Sequence, residues 1–150
     1  MAHLKWSSVL DTDINVIDSQ HKRIVQYIND LYDAQETGDR EKVGNVIDEL
    51  VDYTLSHFAF EESLMEQAGY PFLIPHQKIH KLFTERVSTY VARYKAGEDV
   101  AGDLIVMLQK WLVNHIKLED GDYKEIVKKN MQKLEKDEGW IKSAISRFFG

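Results

Sequence analysis

The chain has 150 residues, 43% of them hydrophobic, with two prolines, no cysteine and a formal net charge of −6. This length and apolar content suit one compact domain, and the absence of cysteine excludes disulfides, iron–sulfur clusters and thiolate metal sites. The acidic balance argues against a nucleic-acid partner, which requires a basic surface to neutralise phosphates. The N-terminus lacks a secretory apolar core and no apolar run could cross a membrane, so we expect a cytoplasmic protein.

The first predicted helix starts at Asp18 or Ser19, either of which can cap it, and ends at Gly38. Its apolar stripe consists of residues spaced three or four apart: Ile24, Ile28 and Leu31. His21 lies one helical turn before this stripe and on the same face. The pattern therefore predicts that His21 faces the protein interior.

The second and third predicted helices also carry ligand-type residues on their apolar stripes. The second helix covers about residues 40–66 and holds His57 and Glu61 on consecutive turns of its buried face. A third helix follows the interruption by a glycine and a proline, and it holds His76 and His80. Each helix is therefore predicted to present two such side chains to the interior.

The fourth predicted helix carries the stretch WLVNHIKLED, residues 111–120, whose apolar stripe ends at His115. Taken alone, a buried histidine of this kind usually finds one backbone partner and has no further role. At about 100° per residue, Glu119 falls on the face of His115, whereas Asp120 reaches that face only if the helix ends or bulges after Ile116. Spacing alone leaves the choice between the two carboxylates open.

Four amphipathic helices joined by short loops predict an all-α fold, an antiparallel up-down four-helix bundle with an N-terminal arm and an additional C-terminal helix. The interior of such a bundle is a usual place for a metal site built from facing side chains. Burying polar groups without partners costs about a few kcal/mol each, and one shared metal site removes that cost. The i, i+4 pairs His57/Glu61 and His76/His80 each place two ligands on one helix face, about 6 Å apart. With single histidines on the first and fourth helices, they predict a metal site of nitrogen and oxygen ligands.

These ligand motifs resemble those of the bacterial hemerythrins. The matching segments are DSQH at 18–21, HFAFEE at 57–62, GYPFLIPHQKIH at 69–80 and WLVNHIKLED at 111–120, together with Trp6 in the N-terminal arm. The resemblance covers about residues 4–123 and implies a non-haem di-iron centre. It indicates a hemerythrin-like domain over residues 1–123, including the arm, with residues 124–150 as a C-terminal helical extension packed on the same domain.

The resemblance also implies a set of seven protein ligands to two iron ions: His21, His57, Glu61, His76, His80, His115 and Asp120. The last three histidines would bind one iron and the first two the other, while Glu61, Asp120 and an oxo or hydroxo group would bridge the ions. The resemblance thus selects Asp120 over Glu119, against the simple helical count. We therefore expect local non-helical geometry before Asp120.

The function implied by the resemblance is reversible dioxygen binding, for transport, storage or delivery, rather than catalysis. The Glu-x-x-His pairs of carboxylate-rich di-iron bundles are absent from the sequence, which argues against an enzyme of that class. Leu112, Ile116 and Trp111, close to His115, are predicted to form an apolar oxygen pocket that excludes water. The alternatives are a module that senses oxygen, nitric oxide or redox state, a weak oxidase or peroxidase, and zinc bound by some of the histidines.

The C-terminal segment, residues 121–150, has seven Lys/Arg against five Asp/Glu and an apolar helical face in GWIKSAISRFFG. We expect a helix packed on the outside of the bundle or against a second copy of the chain. Docking to an oxygen-consuming enzyme or to a membrane surface is the alternative. The sequence leaves the oligomeric state open.

Overall fold

The computed structural model describes residues 3–117, 121–134 and 138–149. Within these ranges the chain forms six α-helices, one short 3-10 turn at Ser8–Leu10, and no strand. The helices are α1 Asn15–Glu36, α2 Arg40–Ala68, α3 Leu73–Lys95, α4 Ala101–His115, α5 Gly121–Leu134 and α6 Glu138–Phe149. The predicted all-α fold is confirmed.

The first four helices form an antiparallel up-down bundle. α1 packs against α2 and α4, and α3 packs against the same two helices. The connections are short, residues 37–39, 69–72 and 96–100, so helices that follow each other in the sequence are antiparallel neighbours. Gly69 ends α2 in the left-handed conformation (φ 70°), where a glycine avoids the steric cost of a side chain.

The start of α1 differs from the prediction, which placed the N-cap at Asp18 or Ser19. The helix begins at Asn15, so both residues lie inside it. The Oδ1 atom of Asp18 accepts hydrogen bonds from the backbone N–H and the hydroxyl of Thr12 in the N-terminal arm, at 2.9 and 2.8 Å. Asp18 therefore fastens the N-terminal arm to the bundle instead of capping α1.

The buried side chains form two apolar clusters. The larger one fills the bundle between α1, α2, α3 and α4 and includes Phe58. The smaller one contains Phe60 of α2 and Tyr123 of α5, and it is covered by aromatic residues of α6. Glu61 follows Phe60 directly, His76 contacts the Tyr123 ring, and His80 contacts the Phe58 ring. The inward-facing histidines therefore lie where the two clusters meet.

Two helices, α5 and α6, occupy the described part of the C-terminal segment, where one was predicted. Both pack against α2. Phe149 of α6 contacts the rings of Tyr53 and Phe60 at centroid distances of 5.2 and 5.9 Å, so the apolar face of the segment is directed at the bundle. Across the described residues, no helix combines the length and the apolar character needed to cross a membrane.

Candidate metal centre

Six ligand-type side chains from all four bundle helices meet in the interior. They are His21 on α1, His57 and Glu61 on α2, His76 and His80 on α3, and His115 at the end of α4. Each is at most 3% exposed to solvent. Antiparallel packing explains the convergence, because it brings one buried stripe from each helix to the same level of the bundle.

Glu61 lies between two groups of histidines and contacts them through different oxygens. Its Oε1 is 3.1 Å from His76 Nε2, 3.2 Å from His80 Nε2 and 4.0 Å from His115 Nε2. Its Oε2 is 3.2 Å from His57 Nε2 and 3.6 Å from His21 Nε2. The carboxylate therefore divides the histidines into a group of three and a group of two.

The spacing of these atoms suits metal ions. The ligand atoms within each group, Glu61 included, lie within 4.8 Å of one another. The Nε2 atoms of His80 and His115 are 3.1 Å apart. Two nitrogen ligands at right angles around one metal, each about 2.0–2.1 Å from it, lie about 3 Å apart. The donor set therefore fits one ion in each group, with Glu61 shared between them.

The electrostatics of the cluster favour an ionised Glu61. Burial opposes ionisation, but hydrogen bonds from four of the histidines outweigh it and hold the pKa of the Glu61 carboxyl well below its usual value. Burial also works against the charged form of His80, but the hydrogen bonds to Glu61 and Glu62 outweigh it and raise the pKa of His80. A proton therefore competes with a metal for the ring nitrogen of His80, and a falling pH favours release of the metal.

Two further polar side chains orient the histidines from outside the cluster. His57 Nδ1 is 2.7 Å from the amide oxygen of Gln20, and His80 Nδ1 is 3.4 Å from a carboxylate oxygen of Glu62. An amide oxygen only accepts hydrogen bonds, so His57 Nδ1 carries the hydrogen and Nε2 is the atom available to a metal. Gln20 and Glu62 therefore hold the two rings with Nε2 directed inward.

Replacing Gln20 with leucine is expected to lower the affinity for metal about 10- to 100-fold, because His57 then loses the acceptor that holds its ring. Competition with a chelator of known affinity measures this effect. Gln26→Leu, at an exposed position of the same helix, is the matched control and is expected to leave metal affinity unchanged. Equal affinities for the two variants would show that Gln20 has no orienting role.

Aromatic side chains pack against the group of three. Phe58 stacks on His80 with ring centroids 3.9 Å apart and planes 7° apart. Trp111 stacks on His115 at 4.3 Å and on Phe83 at 3.7 Å. These contacts exclude water from one side of the rings and restrict their rotation.

A small cavity, here called the inner cavity, adjoins the histidines. It offers about 10 Å³ to the centre of a water-sized molecule, roughly the smallest space that holds one water. Its wall includes His21, His57 and His115, and the other lining side chains are mostly apolar, among them Leu112 and Trp111. Ile116 is buried, but it is not among the described residues that line this cavity.

A model described as "Hemerythrin HHE cation binding domain" matches residues 12–127 of the chain. The chain belongs to the hemerythrin family. The resemblance read from its sequence motifs is thereby confirmed. The hemerythrin family implies a di-iron site, and the feature of this chain that fits one is the buried histidine–glutamate cluster.

Relatives within the hemerythrin family extend over most or all of the chain. A bacteriohemerythrin of Pseudomonas aeruginosa (strain LESB58) is 54% identical over 153 aligned residues, covering 100% of both chains. A myohemerythrin of Theromyzon tessulatum is 31% identical over 120 residues, covering 80% of this chain and 90% of that protein. A crystal structure of wild-type hemerythrin matches with a TM-score of 0.79 and 31% identity, covering 84% of this chain and 98% of that chain.

The carboxylates predicted to complete the hemerythrin ligand set, Asp120 and its alternative Glu119, lie outside the described residues. The helix leading to them changes geometry, because α4 ends at His115 and residues 116–117 form a π-helical turn. Hydrogen bonds in such a turn join residues five apart instead of four. Residues 116–117 thus depart from α-helical geometry, whereas the non-helical geometry expected before Asp120 concerns residues 118–120, which lie outside the described residues.

Several residues that contact the ligands, notably Gln20, Glu62 and Phe58, lie inside the hemerythrin motifs but were given no role from the sequence. Each is a direct sequence neighbour of a ligand-type residue, and neighbours on a helix point about 100° apart. These three residues therefore lie off the helical stripes from which the ligands were predicted. The buried pair Gln20–His57 depends on how α1 and α2 face each other, which only the packed structure defines.

Proposed function

We propose that the chain binds dioxygen reversibly at a di-iron centre and so acts in its transport, storage or delivery. The observation that carries this proposal is the unequal division of the histidines by Glu61, three on one side and two on the other, with an apolar cavity beside His21 and His57. An ion with fewer protein ligands keeps a position for an external ligand. The cavity offers that ligand a small space whose wall is mostly apolar.

The ligands would divide as the two groups do. His76, His80 and His115 would hold one iron, and His21 and His57 would hold the other. Glu61 and Asp120 would bridge the ions together with an oxo or hydroxo group. When bound, two ferrous ions supply the two electrons that reversible uptake of dioxygen requires.

The side chains around the centre hold the histidine rings in place and exclude water from the inner cavity. Ring contacts of Phe58 and Trp111 keep His80 and His115 in place, and Gln20 keeps His57 in place. Leu112 and other apolar side chains line the inner cavity, so water and the protons it carries have little access there. Such an environment favours return of dioxygen unchanged over its further reduction.

Asp120→Asn is expected to cause loss of one or both irons, whereas Glu119→Gln keeps both. The π-helical geometry at 116–117 supports this choice, because hydrogen bonds in a π-helix join residues five apart instead of four, a spacing that favours a ligand five positions after His115 over one four positions after it. Iron content per chain, measured after loading and desalting, checks the prediction. Loss of iron in Glu119→Gln with full retention in Asp120→Asn would reverse the assignment.

The proposed function is tested by loading the protein with iron, reducing it without air, and cycling it between oxygen and vacuum while recording visible absorption. We expect a colourless reduced form, a coloured oxygenated form, and return to the colourless form under vacuum. A colour that develops once and survives evacuation would contradict reversible binding. Metal analysis of the protein as isolated shows whether zinc occupies the site instead.

A further inference from the structure

A second apolar cavity lies beside the inner cavity and nearer the surface. This outer cavity lies between α2, α3 and α4 and offers about 20 Å³ to the centre of a water-sized molecule. Three buried residues, Thr54, Phe83 and Leu108, line both cavities. The two spaces are therefore separated by a single layer of side chains, here called the partition.

The outer cavity reaches the protein surface on its far side. Leu55, at its rim, is 44% exposed, and Val51 and Thr84 are half-buried. The rest of its lining, including Leu50 and the partition, is buried. A molecule that enters at this rim therefore needs to cross only the partition to reach the space beside His21 and His57.

The wall of the outer cavity offers few polar groups to a water molecule. The two hydroxyls in the wall are engaged with helix backbone: Thr54 donates to the Leu50 carbonyl at 2.7 Å and Thr84 donates to the His80 carbonyl at 2.9 Å. The other lining residues are aliphatic or aromatic. Water requires two to four polar partners to occupy a cavity, and this wall offers few, whereas dioxygen requires none.

A second surface next to the metal centre is polar, unlike the wall of the outer cavity. A groove there is lined by the polar side chains Arg86, Lys110 and Asn114 together with Met107, Trp111 and His115. Its charged and amide groups favour hydration. Entry from this groove would bring water and protons toward the ligands, and the stacked rings of Trp111 and His115 line both the groove and the inner cavity.

We propose that dioxygen enters and leaves through the outer cavity, crossing the partition of Thr54, Phe83 and Leu108, and that this apolar route admits the gas while holding back water. The inference rests on the proposed function, because it names the path by which the ligand of that same site arrives. The partition must open briefly for each passage, so its side chains set the rate of exchange. A substitution along the route that does not touch the bound dioxygen therefore changes the rates of entry and exit but leaves the affinity for dioxygen unchanged.

Val51→Phe places a larger side chain at the rim without altering the inner cavity. The association and dissociation rate constants for dioxygen are expected to fall together by about tenfold, with their ratio unchanged, because a blocked path raises the barrier in both directions equally. Val46→Phe is the matched control, since Val46 is also half-buried on α2 but is not among the described residues lining either cavity. Its rate constants are expected to equal those of the unsubstituted protein.

A second measurement uses xenon as an apolar probe in crystals of the metal-free, unsubstituted protein. Under pressure we expect xenon in the outer or the inner cavity, and Val51→Phe is expected to lower its occupancy there. Unchanged rate constants in Val51→Phe, or xenon absent from both cavities, would overturn the route. If the unsubstituted protein shows no reversible binding of dioxygen, the proposed function fails, and the xenon result alone then supports or overturns the apolar route.

Discussion

Replacing Glu61 with glutamine is expected to lower the iron content from about two ions per chain to well below one. Glu61 is the only described residue whose two oxygens contact both histidine groups, so its loss affects both ions at once. An amide lacks the negative charge that offsets the charge of the metals, and only one of its two polar atoms can act as a ligand. Metal analysis after loading gives the result directly.

The control for Glu61→Gln is Glu66→Gln, at an exposed position on the same helix. It removes the same charge from α2 and is expected to keep the full iron content. Helical content by circular dichroism distinguishes loss of the site from loss of the fold. A folded Glu61→Gln protein that still holds both ions would show that the shared carboxylate is dispensable.

Leu112→Ala is expected to speed conversion of the oxygenated protein to the inactive diferric form by about tenfold or more, without loss of iron. Leu112 is 4% exposed and lines the inner cavity, so the shorter side chain leaves space for water beside the ligands. Protons delivered by that water allow dioxygen to depart as hydrogen peroxide, taking both electrons with it. The decay of visible absorption under oxygen gives the rate.

Shortening the buried Leu112 side chain also lowers the free energy of unfolding. The control is therefore a variant that loses a similar free energy at a site away from the inner cavity. Leu104→Ala removes an equally buried leucine from α4, and Leu104 is not among the described residues that line the inner cavity. Each substitution is expected to cost about 2–5 kcal/mol of unfolding free energy. Only Leu112→Ala is expected to hasten oxidation. Equal rates in the two variants would attribute the effect to general loosening of the protein.

The sequence predicted the ligand side chains that the structure brings together because helical periodicity places them on buried stripes. His57/Glu61 and His76/His80 recur at the spacing of one helical turn, and such a repeat is visible without coordinates. Antiparallel packing then accounts for the meeting of His21 and His115 with both pairs. The bundle and its cluster of six buried ligand-type residues were predictable for this reason.

Features that depend on contacts between helices were not predictable in the same way. Asp18 was assigned to capping, but it binds Thr12 in the arm, because a carboxylate at a helix start can serve either set of donors. The partition between the two cavities is formed by residues from three helices, and no local pattern records its shape. The choice of Asp120 came from the family resemblance, since α-helical spacing favoured Glu119.

The central claim, that the chain takes up dioxygen and returns it unchanged, is tested most directly by measuring gas exchange. Reduced, iron-loaded protein is exposed to a known amount of oxygen, and the gas taken up and released on evacuation is measured over repeated cycles. We predict uptake of about one dioxygen for each pair of irons, with nearly all of it recovered and little hydrogen peroxide formed. Continuous oxygen consumption in the presence of a reductant, with no gas recovered under vacuum, would contradict reversible binding and identify an oxidase.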